Sequence, residues 1–122
     1  MSSDSDDVTV WFNPSCSKAR GARALLEERG VDATYVSYLE DTPSRAELER
    51  VAGLLGCLDD PRAMMRTGEA VYASLGLGDA SVGPSELFDA MAAHPILIER
   101  PIVIRGDRAV IGRPPERVLD LL

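Results

Sequence analysis

A strand that leads into a helix and then into a second strand constrains the fold of this chain more than any other feature of its sequence. The segment Val8–Phe12 is β-branched and aromatic, which is typical of a strand. From Cys16 onward apolar residues recur at helical spacing, and Gly30 is a typical C-terminal cap for that helix. Residues 34–39 predict the second strand. Two such strands must pair in parallel through a right-handed crossover.

The middle of the chain predicts a helical insert over about residues 44–93. Its first helix begins either at Thr42, which a proline follows, or at Ser44, whose capping box Glu47 would complete. Glycines and prolines divide the rest of the insert into short helices, and it contains no convincing strand.

The C-terminal part predicts a hairpin and a last short helix. Residues 102–105 and 108–111 are two apolar segments that flank a Gly-Asp pair, the pattern of a two-residue hairpin turn. The predicted fold is therefore α/β, a small mixed four-stranded sheet with flanking helices and an inserted helical segment, in the order of a thioredoxin-like domain. We expect a single domain over residues 8–122, preceded by a small, polar, acidic and disordered tail at residues 1–7.

Composition excludes several classes of function. The 122 residues carry a formal charge of −7, which argues against a sequence-independent nucleic-acid binder. No apolar run approaches the roughly 20 residues of a membrane span, and no signal sequence opens the chain, so we expect a cytoplasmic protein without a membrane partner. Two cysteines are too few for a disulfide scaffold or a zinc cage.

Cys16 is the candidate nucleophile, because it lies where a strand ends and a helix begins. The free N–H groups and partial positive charge of a helix N-terminus favour the thiolate, and Lys18 and Arg20 add positive charge in the same turn. Backbone N–H groups of the same loop can bind an anion. The pairing indicates attack either on a bound oxyanion or on a disulfide.

No second cysteine accompanies Cys16 in a Cys-x-x-Cys pattern, so an external thiol or Cys57 must resolve any covalent adduct. Cys57 is either a packed free thiol or a resolving thiol. His94, the one histidine, lies at a helix end before a proline and is either a structural residue or part of the site. Nothing around it supports a Cys–His protease.

Three arginines stand out by their context. Arg66 follows an apolar segment, Arg100 directly precedes Pro101 and the hairpin, and Arg113 ends the hairpin. Planar guanidinium groups suit bidentate recognition of oxyanions, although an exposed or ion-paired arginine is the simpler interpretation of each.

Four motifs together are specific for one family. They are the Asn-Pro-Ser-Cys-Ser-Lys-Ala-Arg loop at residues 13–20, Met-Arg at 65–66, His-Pro-Ile-Leu-Ile-Glu-Arg-Pro-Ile-Val at 94–103 and Gly-Arg-Pro-Pro-Glu at 112–116. In these motifs the chain resembles the glutaredoxin-linked arsenate reductase family, whose members have a thioredoxin-like fold. The resemblance covers nearly all of the chain from Val8 onward.

The resemblance implies roles that the residues alone leave open. Cys16 would attack arsenate, Arg66, Arg100 and Arg113 would bind the oxyanion, and the bond before Pro101 would be a cis peptide. The supporting loop would comprise Asn13, Ser15, Ser17, Lys18 and Arg20.

The resemblance also implies a thiol-dependent reduction of arsenate to arsenite. A small thiol, glutathione or mycothiol, would attack the arsenylated cysteine, and a glutaredoxin-type partner would clear the mixed disulfide. No metal, flavin or nucleotide is implied, and no Gly-rich nucleotide fingerprint is present.

Phe12 stands where active members of the family often carry a histidine, so the helix terminus, Lys18 and the arginines would have to activate Cys16.

Two alternative functions remain. One is a thiol-disulfide oxidoreductase of the same fold that acts on another substrate. The other is a redox-responsive regulator that binds RNA polymerase, although the missing Cys-x-x-Cys argues against it. Convergence of the three arginines on Cys16 would favour an oxyanion substrate.

Overall fold

The computed structural model describes residues 8–13, 17–113 and 115–121. Its contacts divide the chain into two compact units, one made of Met1–Asp41 and Arg100–Leu122, the other of Thr42–Glu99. The tail predicted to be disordered, residues 1–7, lies outside the described residues.

The first unit contains a mixed four-stranded sheet in the order β2-β1-β3-β4. β1 pairs in parallel with β2, and both β1–β3 and β3–β4 are antiparallel. The parallel pair and the antiparallel hairpin therefore agree with the prediction from the sequence. The strands are β1 Val8–Phe12, β2 Ala33–Ser37, β3 Ile102–Arg105 and β4 Arg108–Ile111.

The second strand ends two residues earlier than its sequence pattern predicts. Its last pair with β1 joins Phe12 and Ser37. The carbonyl oxygen of Ser37 then accepts hydrogen bonds from the N–H groups of Glu40 at 3.0 Å and Asp41 at 2.8 Å. β1 has no further residue to pair, so the chain turns although Tyr38 and Leu39 continue the apolar pattern.

One face of the sheet is covered by α1, Ser17–Glu28, and by the C-terminal 3₁₀ helix Pro115–Leu121. Gly30 ends α1 with a φ of 70°, which a side chain would oppose. The core of this unit comes from both helices and from alternate strand positions, as the pleat requires. Its buried members are Val8, Val10, Ala22, Leu26, Val103, Val118 and Leu121.

Two arginines of the hairpin anchor the C-terminal segment, where the predicted short helix is a 3₁₀ helix. Nη1 of Arg105 donates to the carbonyl oxygen of Leu121 at 2.7 Å. Nη2 of Arg108 donates to the carbonyl oxygen of Asp120 at 2.6 Å. These bonds occupy carbonyl groups that the end of a helix leaves free.

The second unit is helical, as predicted for the insert. Ser44 caps its first helix by accepting the N–H of Glu47 at 3.2 Å, which decides between the two possible helix starts. Arg45 then ties that helix to α4 through Asp89 at 2.7 Å. The helices are α2 Arg45–Leu55, α3 Ala70–Ser74 and α4 Pro84–Ala93, with 3₁₀ helices at Pro61–Met64 and Pro95–Leu97.

A single antiparallel bridge, between Met65 and Ile98, joins the segments that follow the two 3₁₀ helices. No strand pattern predicts it, because one bridged residue on each side shows no alternation.

Within the described part of the chain, no helix is long and apolar enough to cross a membrane, and no three side chains of His, Cys, Asp or Glu gather as metal ligands.

Candidate active site

The loop predicted to carry the nucleophile lies between β1 and α1. Asn13 directly follows β1, and α1 begins at Ser17, the residue after Cys16. The chain therefore turns from strand to helix where the sequence predicts. Ser15 and Cys16 lie outside the described residues, as do the side chains of Ser17 and Lys18, so activation of the thiol by the helix terminus stays a prediction. Arg20 is exposed on α1.

An aromatic pair fixes the end of β1 just before this loop. The rings of Phe12 and Tyr35 meet edge to face, with 5.9 Å between their centroids and 84° between their planes. The guanidinium carbon of Arg23, on α1, lies 5.0 Å from the centroid of the Tyr35 ring. Burial raises the pKa of Tyr35, although the positive charge of Arg23 opposes that shift. Phe12 thus serves as a packing residue at the end of β1.

Two of the three candidate arginines meet at the start of the hairpin. Nη1 of Arg113 donates a hydrogen bond of 3.2 Å to the carbonyl oxygen of Arg100. Atoms Nε and Nη1 of Arg100 are buried. A buried guanidinium acts on an anion through a lower dielectric than an exposed one does, so its attraction for an oxyanion is stronger. The fold therefore places two guanidinium-bearing residues side by side in the first unit.

Pro101 follows Arg100 in the chain and is hydrogen-bonded to Gly112, the residue after β4. The peptide bond from Arg100 to Pro101 is cis, as the family resemblance implied. The N–H of Gly112 donates to the carbonyl oxygen of Pro101 at 2.8 Å. Gly112 is buried, and a side chain on it would press against the proline ring. This contact fixes the backbone at Gly112, directly before Arg113.

Arg66 lies in the second unit and contacts two carboxylates. Its Nη1 is 3.4 Å from an oxygen of Glu69, three residues further along the chain. Its Nε is 4.0 Å from an oxygen of Glu99. All three side chains are about a quarter exposed, at 25%, 25% and 22% respectively. Convergence of Arg66 with Arg100 and Arg113 stays a prediction.

Cys57 is buried, which favours the simpler of its two interpretations. Burial raises the pKa of its thiol, and the neighbouring charge of Asp60 raises it further. A thiol held in this way is mostly protonated at neutral pH and is a poor nucleophile.

His94 ends α4, where its N–H donates to the carbonyl oxygen of Ala90 at 2.8 Å. That position is consistent with a structural role for His94.

Two features of the candidate site escape sequence reasoning. Glu99 contacts Arg66 only because the Met65–Ile98 bridge aligns two distant segments, whereas Glu69 lies three residues after Arg66 in the chain. Gly112 matters because of what its missing side chain allows, which only the packed structure reveals. The order Gly-Arg-Pro-Pro at residues 112–115 is the one available signal, since a glycine beside a functional arginine often permits close approach.

Comparison with known proteins gives a consistent result. The sequence matches the ArsC family over residues 11–121. An arsenate reductase of Haemophilus influenzae is 49% identical over 115 residues, which cover 94% of this chain and 98% of that protein. An arsenate reductase of Neisseria meningitidis is 42% identical over 112 residues, or 92% of this chain and 95% of that protein. The structure of an arsenate reductase from Vibrio cholerae aligns with a TM-score of 0.91 at 49% identity, over 95% of this chain and 98% of that one. The predicted thioredoxin-like fold class is thereby confirmed.

Proposed function

Because this chain belongs to the ArsC family, we propose that it is an oxidoreductase that reduces arsenate to arsenite, with Cys16 as the nucleophile. The observation that carries the proposal is the match along residues 11–121, which includes all three arginines and the cysteine loop. Relatives at 42–49% identity carry the name arsenate reductase.

The hydrogen bond from Arg113 to the carbonyl oxygen of Arg100 supports an oxyanion site beside Pro101. In the proposed site, arsenate binds to both guanidinium groups and to Arg66. Guanidinium groups present paired donors that match two oxygens of a tetrahedral anion. They also stabilise the negative charge that the arsenic oxygens carry as the thiolate approaches.

The proposed reaction has three steps. The Cys16 thiolate attacks arsenic and displaces water or hydroxide, which forms a sulfur–arsenic(V) bond. An external thiolate then attacks the sulfur of Cys16, a disulfide bond forms, and the electron pair of the broken S–As bond passes to arsenic, which leaves as arsenite. A second thiol reduces the mixed disulfide and regenerates Cys16. Two thiols are oxidised to one disulfide for each arsenate reduced.

The burial of Cys57 supports an external thiol as the reductant, because a buried thiol with a raised pKa is a poor resolving group. We propose glutathione or mycothiol as the small thiol and a glutaredoxin-type protein as the partner that clears the mixed disulfide. Such thiol pools belong to the reducing cytoplasm, where we place the protein.

The test is arsenite production from arsenate by the purified protein. Parallel reactions contain glutathione with glutaredoxin, mycothiol with mycoredoxin, or thioredoxin. We expect arsenite from one thiol system, its loss in the Cys16→Ser variant, and unchanged activity in a Cys57→Ala control. A folded protein whose Cys16 alkylates readily but which forms no arsenite with any donor would refute the proposal.

A further inference from the structure

We propose that Glu69 and Glu99 set the oxyanion affinity of the site by occupying the Arg66 guanidinium until the anion displaces them. This inference rests on the proposed function, since it takes Arg66 as an oxyanion ligand. In it, the two carboxylates set the affinity of the site, and they act through Arg66 alone.

The bridge between Met65 and Ile98 brings Glu99 to Arg66, whereas Glu69 lies three residues after Arg66 in the same segment. The N–H of Arg66 donates to the carbonyl oxygen of Leu97 at 2.7 Å, and the N–H of Glu99 donates to that of Met64 at 2.8 Å. Successive residues of paired segments point to opposite faces. Met65 and Ile98 are buried, so Arg66 and Glu99 share the other face.

The ion pairs of Arg66 are loose. A carboxylate that fixes an arginine does so through hydrogen bonds of about 2.7–2.9 Å, often in pairs. Arg45 shows this arrangement with Glu49 at 2.8 Å and with Asp89 at 2.7 Å. The contacts of Arg66 with Glu69 and Glu99, at 3.4 and 4.0 Å, are longer. They balance the charge of Arg66 without locking its guanidinium.

This geometry makes the carboxylates competitors of an anion. Glu69 approaches Nη1 and Glu99 approaches Nε, which are donors that a bidentate oxyanion would use. An arsenate that reaches Arg66 must separate the guanidinium from both carboxylates or bind beside two negative charges. Because the three side chains are three-quarters buried, water screens this repulsion only in part. Removing either carboxylate should therefore tighten oxyanion binding.

The test compares Glu69→Gln, Glu99→Gln and the double variant with the wild-type protein. Titration calorimetry measures the Kd of arsenate and of phosphate, which the enzyme cannot reduce. We expect each single variant to lower both Kd values by about two- to fivefold, the range that partly exposed ion pairs are worth. In the reductase assay the KM for arsenate should fall with little change in kcat.

Glu49→Gln is the matched control, because it also removes one carboxylate from an arginine but far along the chain from Arg66. We expect its Kd values to equal those of the wild type. An unchanged or raised Kd in folded Glu69→Gln and Glu99→Gln overturns the inference, as does equal tightening in Glu49→Gln or an absence of binding in every protein. Should Glu99→Gln fail to fold, Glu69→Gln carries the test alone.

The calorimetry separates this inference from the proposed function. If the phosphate Kd shifts as expected but no arsenite forms, the carboxylates control an oxyanion site whose reaction is a different one. If arsenite forms while the Kd values stay fixed, the reductase stands and the role of Glu69 and Glu99 is refuted.

Discussion

Gly112 lies so close to Pro101 that a Cβ atom on Gly112 would be 3.0 Å from Cγ of the proline and 3.2 Å from Cγ1 of Val118. Distances of 3.0–3.4 Å are tighter than nine in ten real Cβ contacts, so Pro101 and Val118 would have to give by a few tenths of an ångström. The N–H of Gly112 also donates to the carbonyl oxygen of Pro101, at 2.8 Å. The segment that carries Arg113 therefore packs against Pro101 with little room for a side chain at Gly112.

We expect Gly112→Ala to lower both stability and activity. The added methyl group must push Pro101 or Val118 aside, and such overpacking typically costs about 1–3 kcal/mol of the free energy of unfolding. The shift would also move the backbone of Arg113, so kcat/KM for arsenate should fall by at least about tenfold. Chemical denaturation and steady-state kinetics measure the two effects.

Gly68→Ala is the matched control for this prediction, since nothing lies within 4 Å of a Cβ atom at Gly68. We expect that variant to be as stable and as active as the wild type, or slightly more stable. Wild-type kinetics in Gly112→Ala would show that the contact with Pro101 does not position Arg113.

A second prediction concerns the shape of the Arg113 side chain. Arg113→Lys keeps the charge but loses the planar guanidinium that donates to the carbonyl oxygen of Arg100 and, in the proposed site, also binds an oxyanion. We expect kcat/KM for arsenate to fall by at least about tenfold, within the range known for single oxyanion-stabilising donors. Arg108→Lys, a change of the same kind at the exposed first residue of β4, should leave kcat/KM unaltered. Equal losses in both variants would contradict a special role for Arg113.

Much of the fold follows from the sequence because its signals are local. The β-branched run at Val8–Phe12 and the Gly-Asp turn after Arg105 each specify a strand boundary within a few residues. The strand at Ala33–Ser37 shows the limit of such reasoning, because its end depends on where β1 stops.

The candidate site is less predictable, because its contacts join residues far apart in the sequence. Arg66 and Glu99 meet through a single bridge, which leaves no periodic pattern in either segment. The importance of Gly112 depends on the side chain of Pro101 across the hairpin. The context of the three arginines singles them out, but only the family resemblance assigns them an oxyanion, since composition and spacing do not distinguish an oxyanion ligand from a surface arginine.

A third prediction concerns Arg62, which organises the loop after α3. Its Nε donates to the carbonyl oxygen of Leu77 at 3.0 Å, and its Nη2 donates to those of Leu77, Asp79 and Val82 at 2.7, 3.0 and 3.3 Å. Arg62→Ala leaves these carbonyl groups without their donor, so the midpoint of thermal unfolding should fall by several degrees. Arg62→Lys should restore only part of the loss, because an ammonium group cannot reach all three carbonyls at once.

The exposed Arg29 provides the control for Arg62, and Arg29→Ala should leave the midpoint unchanged. An Arg62→Ala protein whose midpoint of thermal unfolding equals that of the wild type would show that the loop keeps its structure without this arginine.

A fourth prediction separates the two thiols by reactivity. Burial, with a further contribution from Asp60, raises the pKa of Cys57 above its ordinary value of 9.0. At pH 7 iodoacetamide should therefore modify Cys57 slowly in the native protein, and the rate should rise only as the pH passes that ordinary range. Mass spectrometry of peptides from native and urea-unfolded protein measures both thiols. Rapid native alkylation of Cys57 would contradict its burial.

The raised pKa of Cys57 also makes the stability of the protein depend on pH. The neutral Cys57 thiol is favoured in the fold, so its contribution is complete below the ordinary thiol pKa and is lost as the pH rises through the raised one. The free energy of unfolding should consequently decline less steeply above about pH 9 in Cys57→Ala than in the wild type.

The last prediction concerns the hydroxyl of Tyr35, which is buried and has no hydrogen-bond partner among the described residues. A buried hydroxyl without a partner costs free energy, whereas the ring contacts with Phe12 and Arg23 do not need it. Tyr35→Phe should therefore keep the native free energy of unfolding or raise it by up to about 1 kcal/mol. The matched control is Tyr72→Phe, which removes a hydroxyl that interacts electrostatically with the Arg62 guanidinium and should be destabilised. Urea denaturation of both variants decides the matter, and a destabilised Tyr35→Phe would show that the hydroxyl has a stabilising partner in solution.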